Sequence, residues 1–501
     1  MVTKEFVEEP ARRTPVLKDA DVLVVGGSQS GVAAAVSAKR AAPDLRVLLV
    51  EQNGYLGGQS VADMVVHWEF REYTNNQGVE IARGIGKEMI RRIVARGNSD
   101  PLYSAWLEGR GPPFRDWKDQ RAVGDVPLDL EDIKVVLLEM CEEVGVEVLF
   151  LARAVAPLPL ERTANGLPAT RGVVVETPGG RFAVRAKVVV DCSANNDVAW
   201  WVAGFDAVAV PPKVVMNMQA YLWLGPVDCV KFVNAAWDEG SFATRTTYPD
   251  NREQMLEFVE RNISITLRGG ASYLAKVEEI WPDFYEEWEK TGALPPLYYW
   301  LKTIRVDRVG GCHLGTWAVE GPSFLWDQTD YFKVNEAHAK MLRACQLLLK
   351  IHRILPGWDQ CRVVRTPATI GYRQTRVLKG VYMLTERDVR ENATFPDAVG
   401  RASGHDVSRN KPGVEMGYQV PYRALLPAAV DGLVVGARSI SCDPNDPSLT
   451  ALNAQRGISA TIITGQAAGV AAALSVAHGV EPRDVDVASL QDALRAQDVI
   501  W

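Results

Sequence analysis

Residues 21–31 have the sequence DVLVVGGSQSG, and this stretch decides the predicted fold. Its first five residues are a mostly β-branched apolar run, which is typical of a strand buried on both faces of a parallel sheet. A glycine-rich turn follows at once, and the alanine-rich residues 32–42 have strong helical character. A second apolar run, Val47–Val50, ends at Glu51. The sequence therefore predicts a strand, a tight turn, a helix and a second strand in succession.

The turn has the chemistry of a pyrophosphate-binding loop. A strand, a glycine-rich turn and a helix together present backbone N–H groups and the positive end of the helix to an anion. In the dinucleotide pattern G-x-G-x-x-G, Gly26 and Gly31 are the outer glycines, and Ser28, small and able to donate to phosphate, replaces the central one. Glu51 lies about 20 residues beyond Gly31, the spacing of a carboxylate that binds ribose. For the glycines alone, a structural tight turn is the alternative.

A second glycine-rich segment follows Glu51, with the sequence QNGYLGGQS at residues 52–60. Its glycine pair, Gly57 and Gly58, would let an extended cofactor pass close to the backbone. An ordinary loop is the alternative, because such pairs are common in loops.

Motifs along almost the whole chain resemble the FAD-dependent oxidoreductases that have a glutathione-reductase-type FAD domain, and they are similar to those of fumarate reductase flavoproteins. The opening resembles the family's D-x-x-V-V-G-G-x-x-x-G, and residues 54–58 its G-x-L-G-G. The other segments that carry the resemblance are residues 370–376 (IGYRQTR), 384–388 (LTERD), 420–427 (VPYRALLP), 433–441 (LVVGARSIS) and 465–472 (GQAAGVAA).

The resemblance implies one tightly held FAD. It also implies that the helix starting near Gly457 faces the N1–C2=O edge of the flavin, where a helix N-terminus stabilises negative charge. The residues that it assigns to FAD are Gly26, Gly27, Ser28, Gln29, Ser30, Gly31, Glu51, Gln52, Gly57, Gly58, Gln59, Ser60, Ala154, Ser193, Gly436, Arg438, Arg456, Gly457 and Ile458.

Two segments depart from the family pattern. Where members have D-x-T-G-D, this chain has DCSAN, so that Ser193 keeps a hydroxyl and Ala194 replaces the glycine. Where members carry D-x-H, Ser408 replaces the histidine and His405 lies nearby. The acid–base residue is therefore sought at His405 or at His67, which follows the second glycine loop. A structural or surface role is the alternative for both histidines.

Arg373 and Arg376 are the candidates for binding an anionic group. A guanidinium can hold a substrate carboxylate or stabilise an electron-rich transition state. A structural ion pair between domains is the alternative, and the sequence does not choose between the two. Seven tryptophans in the middle of the chain would line an aromatic substrate pocket or, alternatively, fill the core.

The composition excludes several classes of protein. Of 501 residues, 47% are hydrophobic and 23% charged, so the chain is globular rather than disordered. The net charge of -7 leaves no basic excess for binding nucleic acid. Seven scattered cysteines without a C-x-x-C pair predict neither a metal site nor a disulfide framework.

The predicted location is the cytoplasm. The N-terminus has no apolar run of the kind found in signal peptides. The most apolar stretch, residues 457–476, contains Gln466 and many small residues, which favours a buried helix over a membrane span.

The predicted fold class is α/β, with a discontinuous Rossmann-like FAD-binding domain of the glutathione-reductase type and an inserted α+β substrate domain. We expect the FAD-binding domain at residues 18–206 and 428–501, with a helical insertion at about 76–128. The substrate domain is expected at residues 207–427. Within the first part, residues 127–144 predict an amphipathic helix with Asp129 as its N-cap, and residues 172–184 predict a hairpin.

The predicted function is hydride transfer between a small organic substrate, anionic or aromatic, and flavin N5. Since one dinucleotide motif is present, a built-in NAD(P)H domain is not expected. The electron partner is left open between oxygen, a quinone and a redox protein, and so is the oligomeric state. The alternatives are a redox-neutral flavin-dependent isomerase or dehydratase, and a non-catalytic FAD-binding protein.

Overall fold

The computed structural model describes residues 7–66, 68, 73, 80–99, 107, 128–238, 243–248, 252–253, 256–257, 266–269, 277, 279–294, 306–308, 316–402 and 417–501. The β-strands in these residues are β1 Val16–Asp19, β2 Val22–Val25, β3 Val47–Val50, β4 Glu147–Leu149, β5 Arg153–Pro157, β6 Glu161–Arg162, β7 Pro168–Ala169, β8 Gly172–Thr177, β9 Gly180–Arg185, β10 Val188–Asp191, β11 Val208–Ala209, β12 Met218–Gly225, β13 Ala243–Tyr248, β14 Thr266–Gly269, β15 Val306–Arg308, β16 Trp317–Phe324, β17 Arg362–Arg365, β18 Val377–Leu378, β19 Ala398–Ala402, β20 Tyr418–Pro421 and β21 Leu433–Val435. The α-helices are α1 Gln29–Ala41, α2 Gly58–Ala62, α3 Ile85–Ala95, α4 Leu130–Val144, α5 Asp197–Ala203, α6 Cys229–Asp238, α7 Phe284–Glu289, α8 Tyr331–His352, α9 Glu386–Arg390, α10 Thr450–Gln455, α11 Ile458–His478 and α12 Val487–Arg495.

A parallel five-stranded sheet forms the centre of the fold, in the order β21-β10-β2-β3-β4. Every residue of β2, β3, β10 and β21 is buried, as expected for strands covered on both faces. The predicted strand–turn–helix–strand unit is confirmed as β2, α1 and β3. The chain is therefore a mixed α/β protein with a parallel sheet.

Helix α11, near the end of the chain, packs directly on α1, near its beginning. The contact is made through Gly465 and Gly469, which lie one helical turn apart. A Cβ atom at Gly465 would lie 2.2 Å from the backbone oxygen of Ser30, and one at Gly469 would lie 2.0 Å from that of Ala34. Only glycine permits this approach. The two ends of the chain thus share one helical layer beside the parallel sheet.

Besides the parallel sheet, the described residues form two larger sheets and three two-stranded ones, β6-β7, β11-β18 and β19-β20. Strands β1, β9, β8 and β5 form a four-stranded sheet that contains the predicted hairpin, with β8 and β9 paired from Gly172–Arg185 to Thr177–Gly180. The middle of the chain forms a six-stranded sheet in the order β13-β14-β15-β16-β12-β17, and its described pairings are antiparallel. The domain boundaries expected from the sequence stay a prediction, and so does the helical insertion, of which residues 80–99, 107 and 128 are described.

Two helices follow the sequence prediction closely. Helix α4 begins at Leu130, and the Asp129 carboxylate caps it by accepting the N–H of Asp132 at 2.9 Å. Helix α11 coincides with the most apolar stretch of the sequence. By length and composition it could cross a membrane, but 83% of its most apolar window is buried inside the protein, as predicted for a core helix.

Candidate functional site

The glycine-rich turn connects β2 to α1 as predicted. Gly26 has φ +103, and its N–H donates to the carbonyl of Val50 at 2.9 Å. A Cβ atom at Gly31 would lie 1.8 Å from the Gly26 carbonyl oxygen, so the outer glycines pack against each other. Ser28 is the N-cap of α1: its hydroxyl accepts the N–H of Gly31 at 3.4 Å and shares a hydrogen bond of 2.8 Å with the Ser30 hydroxyl. The turn is compact and leads into a helix N-terminus that can bind an anion.

Glu51 lies beside this turn at the end of β3. One carboxylate oxygen accepts the Gly27 N–H at 2.7 Å, and the other accepts the backbone and side-chain N–H groups of Asn53, both at 2.7 Å. A carboxylate has about four acceptor positions, so these three bonds leave one for a hydroxyl. Burial raises the pKa of Glu51, although the backbone N–H groups of Asn53 and Gly27 oppose the shift. The position and remaining capacity of this carboxylate fit a ribose ligand.

The second glycine segment packs against the first. The Gly57 N–H donates to the carbonyl of Gly27 at 2.9 Å, and a Cβ atom at Gly58 would lie 2.6 Å from the Ser28 Cβ. Gly57 is the N-cap of α2, a helix that the sequence did not predict. The two glycine-rich segments therefore form one continuous backbone surface at the end of the central sheet.

The next two residues connect this surface to other parts of the fold. The Gln59 side chain donates to the carbonyl of Tyr372 at 2.9 Å, and the buried Ser60 hydroxyl accepts the indole N–H of Trp68 at 2.9 Å. Of the remaining candidates nearby, Gln52 is exposed, and Ala154 is half-buried on β5. Gln59 thus joins the predicted cofactor segment to the segment that carries Arg373.

The strand β10 ends in the segment that departs from the family pattern. Asp191 accepts the N–H groups of Ser193 and Val198, both at 2.9 Å, and the Ser193 hydroxyl accepts the N–H of Asp197 at 3.0 Å. Ala194 has φ +67, a left-handed conformation that glycine adopts without strain. The backbone at this position therefore has a conformation that favours glycine, although the residue is alanine.

The C-terminal candidates lie near the start of α11. Gly436 follows β21, and Gly457 is the N-cap of α11, which begins at Ile458 as the resemblance implies. Arg438 is buried, and one of its terminal NH2 groups donates to Asn195 at 3.0 Å and to Thr375 at 3.2 Å. Burial, followed by the positive charge of Arg456, lowers the pKa of Arg438 to about 10. Positive charge thus accumulates where the resemblance implies the flavin edge.

Buried polar atoms without a partner test whether FAD fits these residues. The Gln29 carbonyl oxygen and the Arg438 Nε are buried and form no hydrogen bond within the protein. The side-chain nitrogen and oxygen of Gln455, two residues before the N-cap of α11, are also buried and form no hydrogen bond within the protein. A buried polar group without a partner costs about 1–3 kcal/mol. FAD offers hydroxyl groups and a flavin N–H as donors to the amide oxygens, and phosphate and flavin carbonyl oxygens as acceptors for the N–H groups, so the residues of this site fit the cofactor.

Arg373 is half-buried between the predicted cofactor residues and the six-stranded sheet. Its guanidinium donates to the side-chain oxygen of Asn217 at 3.1 Å and to that of Gln219. Its backbone N–H donates to the Gln328 side-chain oxygen at 2.7 Å. Gly371 and Gln219 also exchange both backbone hydrogen bonds, at 2.9 and 3.2 Å. The arginine is thus held by neutral amides, and its charge is available to an anion.

Arg376 differs from Arg373. It forms an ion pair of 2.6 Å with Asp197 and lies over the Trp200 ring, with 5.2 Å between the guanidinium carbon and the ring centre. Burial raises the pKa of Asp197 to about 6, Asp191 adds to the shift, and Arg376 opposes it. Of the two roles left open by the sequence, these contacts are those of a structural ion pair.

The structure adds Asp63, which the sequence analysis missed. Asp63 follows α2, is 1% exposed, and accepts the hydroxyl of Thr369. Burial raises its pKa to about 7, although Thr369, Arg438 and Arg373 oppose the shift. The signal was an acidic residue inside the apolar run SVADMVV at residues 60–66, because a buried carboxylate is rare without a specific role.

The two candidate acid–base histidines, His67 and His405, lie outside the described residues. Within the described ranges, no group of three or more histidine, cysteine or acidic residues could hold a metal ion. The tryptophans that are described include Trp288, buried with its indole N–H donating to the Leu294 carbonyl at 3.0 Å, and Trp326, which packs against Phe324.

Comparison with known proteins identifies the class. A family model described as FAD dependent oxidoreductase matches residues 21–494. The chain belongs to this family of FAD-dependent oxidoreductases. It is an FAD-dependent enzyme, and the cofactor predicted from the sequence is confirmed. No curated protein matches the sequence.

Solved structures resemble the chain at low similarity. A geranylgeranyl bacteriochlorophyll reductase-like protein from Thermoplasma acidophilum is 12% identical, with a TM-score of 0.40, over 96% of this chain and 83% of that one. The myxobacterial chondrochloren halogenase CndH is 12% identical, with a TM-score of 0.43, over 96% and 79%. A flavoprotein/dehydrogenase from Cytophaga hutchinsonii is 13% identical, with a TM-score of 0.40, over 96% and 84%. The family assignment does not depend on these similarities.

Proposed function

We propose that this enzyme transfers hydride between a small anionic organic substrate and N5 of FAD. The FAD is held by a discontinuous domain of the glutathione-reductase type, formed by residues 18–206 and 428–501. Residues 207–427 form the substrate domain. The observation that carries the proposal is Arg373, a half-buried guanidinium whose described hydrogen bonds go to the neutral side chains of Asn217 and Gln219.

The chain's own residues hold the cofactor in this proposal. The turn from Gly26 to Gly31 and the N-terminus of α1 bind the pyrophosphate, and Glu51 binds the ribose through its remaining acceptor position. The start of α11 and the Arg438 side chain stabilise negative charge at the flavin edge. When bound, FAD supplies two-electron redox chemistry.

Arg373 binds the anionic group of the substrate. Its guanidinium is oriented by Asn217 and Gln219, and its backbone by Gln328, so little side-chain freedom remains to be lost on binding. A fixed guanidinium next to a carboxylate forms a charge-assisted bond about twice as strong as a neutral hydrogen bond. The same bond orients the reacting carbon of the substrate. His67 and His405 stay the predicted acid–base residues for the proton that accompanies hydride transfer.

The test is anaerobic mixing of the FAD-loaded enzyme with a panel of small acids, alcohols, amines and sugars while the absorbance of the oxidised flavin is followed. We expect a carboxylate-bearing compound of the panel to bleach the flavin. Bleaching by neutral compounds alone would contradict the role of Arg373. Turnover without an external acceptor and without a change in flavin oxidation state would support the redox-neutral alternative instead.

A further inference from the structure

Asp63 lies where three segments of the site meet. The backbone at the end of α2 accepts the Ala368 N–H at 2.8 Å, and the Asp63 carboxylate accepts the Thr369 hydroxyl on one oxygen. The other oxygen lies against the backbone of Gly371, where a Cβ atom would approach it to 3.2 Å. Since the side chain is 1% exposed, both oxygens are fixed inside the protein.

The charges near Asp63 are unequal. Arg438 and Arg373 both act on its carboxylate, and Arg456 adds positive charge next to Arg438. In the described part of the chain, the hydrogen bonds of Arg373 go to Asn217 and Gln219, which are neutral. Those of Arg438 go to Asn195 and Thr375, also neutral. The cluster therefore carries an excess of positive charge, which Asp63 and, at Arg438, also Asp197 offset in part.

Two tyrosines and Asp197 also belong to the titratable surroundings. Tyr55 and Tyr372 both sense the negative charge of Asp63. Burial raises the pKa of both phenols, which favours their neutral forms. The pKa of Arg438, about 10, keeps most of this guanidinium charged up to pH 9. Asp197, whose pKa burial raises to about 6, is mostly ionised by pH 7. Between pH 7 and 9, Asp63 is therefore the group of this cluster whose charge changes most.

We propose that Asp63, Arg373 and Arg438 form a proton-linked carboxylate site. Ionised Asp63 offsets part of the positive charge of the two guanidiniums when no anion is bound, and it takes up one proton from solvent when a carboxylate binds to Arg373. The reason is that two carboxylates beside the same cations repel each other, which raises the pKa of Asp63 further and favours its protonated form. The inference depends on the proposed function in one respect, that Arg373 holds the anionic group.

Asp63 acts here through the arginines and is a positioning residue. Its pKa of about 7 in the protein means that the proton can be exchanged near neutral pH. If anion binding at Arg373 requires protonated Asp63, the enzyme must take up a proton whenever Asp63 is ionised. The apparent dissociation constant of the anion then rises about tenfold for each pH unit above the pKa of Asp63. The expected signature is thus a pH dependence of anion binding that belongs to the protein, since carboxylate ligands and guanidiniums do not titrate in this range.

The test is the binding of acetate to the FAD-loaded enzyme at pH 7, 8 and 9 and constant ionic strength, followed by the absorbance of the bound flavin and by calorimetry. In the wild type, we expect the dissociation constant to rise about 50-fold from pH 7 to pH 9. In Asp63→Asn, it should stay within about twofold, because the amide imitates the protonated carboxyl. At pH 9 the variant should bind acetate about 100-fold more tightly than the wild type.

Two further variants locate the effect. Asp132→Asn removes another buried carboxylate, paired with Arg96 at 3.0 Å, and should keep the wild-type pH dependence. Arg373→Gln should weaken acetate binding at least about tenfold at each pH, as expected on losing a charge-assisted bond. Flavin content and circular dichroism check that each variant is folded and loaded.

Equal pH dependence in the wild type and in Asp63→Asn would overturn the inference, and so would the absence of acetate binding at all three pH values. The proposed function fails separately, if no carboxylate of the panel reduces the flavin. A flavin that is reduced normally in an Asp63→Asn enzyme, together with unaltered pH dependence, leaves the proposed function standing and removes the proton-linked site.

Discussion

The two halves of the site are stabilised in opposite ways. Around the turn from Gly26 to Gly31, packing is tight, and the buried carboxylate of Glu51 accepts three hydrogen bonds. Around Asp63, Arg373 and Arg438, positive charge exceeds negative charge, and the buried Arg438 Nε forms no hydrogen bond within the protein. The first region is suited to a permanently bound cofactor. The second has charged groups that are free to bind an anion, as expected of a site where substrates bind and charges change during the reaction.

The strongest test of the tightly packed half is Gly469→Ala. Its Cβ atom would lie 2.0 Å from the Ala34 backbone oxygen, so α1 and α11 must separate. We expect a loss of about 3 kcal/mol or more in the free energy of unfolding, measured in urea, together with weaker FAD retention. Gly179→Ala is the control, because its nearest contacts are at 3.6 Å or more, and it should change stability by less than about 0.5 kcal/mol. A well-folded Gly469→Ala enzyme would show that the helix contact is not tight.

Arg373→Gln and Arg376→Gln separate the two arginines. Removing Arg373 should lower the rate of flavin reduction by the substrate about 100-fold, because a charge-assisted bond worth about 2–3 kcal/mol is lost, with stability little changed. Removing Arg376 leaves Asp197 without its partner at 2.6 Å, so we expect stability to fall and the reduction rate to change less than about threefold. The interpretation is wrong if the two variants show the same pattern in stopped-flow reduction and urea unfolding.

The ionisation of Asp63, in the second region of the site, should appear in the pH dependence of the free energy of unfolding. The pKa of Asp63 is raised from its usual 3.8 to about 7, so the folded state binds this proton more tightly than the unfolded state. Its contribution to stability is complete below pH 4 and is lost as the pH rises to 7, with a slope of up to about 1.4 kcal/mol per pH unit. Asp63→Asn should remove this slope from urea unfolding curves recorded between pH 5 and 7. Asp132→Asn, the matched control, should keep it.

The smallest effect is expected at Ala194. Since its φ is +67, replacing it with glycine relieves a left-handed conformation, and the gain should be about 1 kcal/mol or less. Ala428→Gly, at an exposed position without positive φ, should instead lower stability by about 0.5 kcal/mol. Differential scanning calorimetry of the two variants measures the difference, and equal shifts of the same sign would contradict the strain at Ala194.

What the sequence could predict were the features with local causes. The strand, turn and helix at residues 21–42, the carboxylate at Glu51 and the Asp129 cap all follow from neighbouring residues, and the structure has them in place. Asp63 was missed because its role comes from Thr369 and the two arginines, which are far away in sequence. The pairing of Arg376 with Asp197 was open for the same reason.

The six-stranded sheet shows the same limit. Its order, β13-β14-β15-β16-β12-β17, places the first of its strands in sequence next to the last. Hydrophobic patterns locate strands but do not specify such partners, because pairing depends on contacts over long sequence separations. Gly465 and Gly469 were assigned by resemblance to a flavin-binding helix, while the contact that requires glycine there is with α1.

The contact between α1 and α11 has a consequence for biosynthesis. The edge strand β21 and helix α11 come from residues 433–478, so the central sheet and its helical layer are incomplete while most of the chain is still being made. On the ribosome, the phosphate turn emerges early but lacks the helix that packs behind it. Stable binding of FAD therefore requires that α11 has been synthesised. Until then, the nascent chain exposes the apolar face of α1 and of the sheet that α11 later covers, and chaperones can bind to this face.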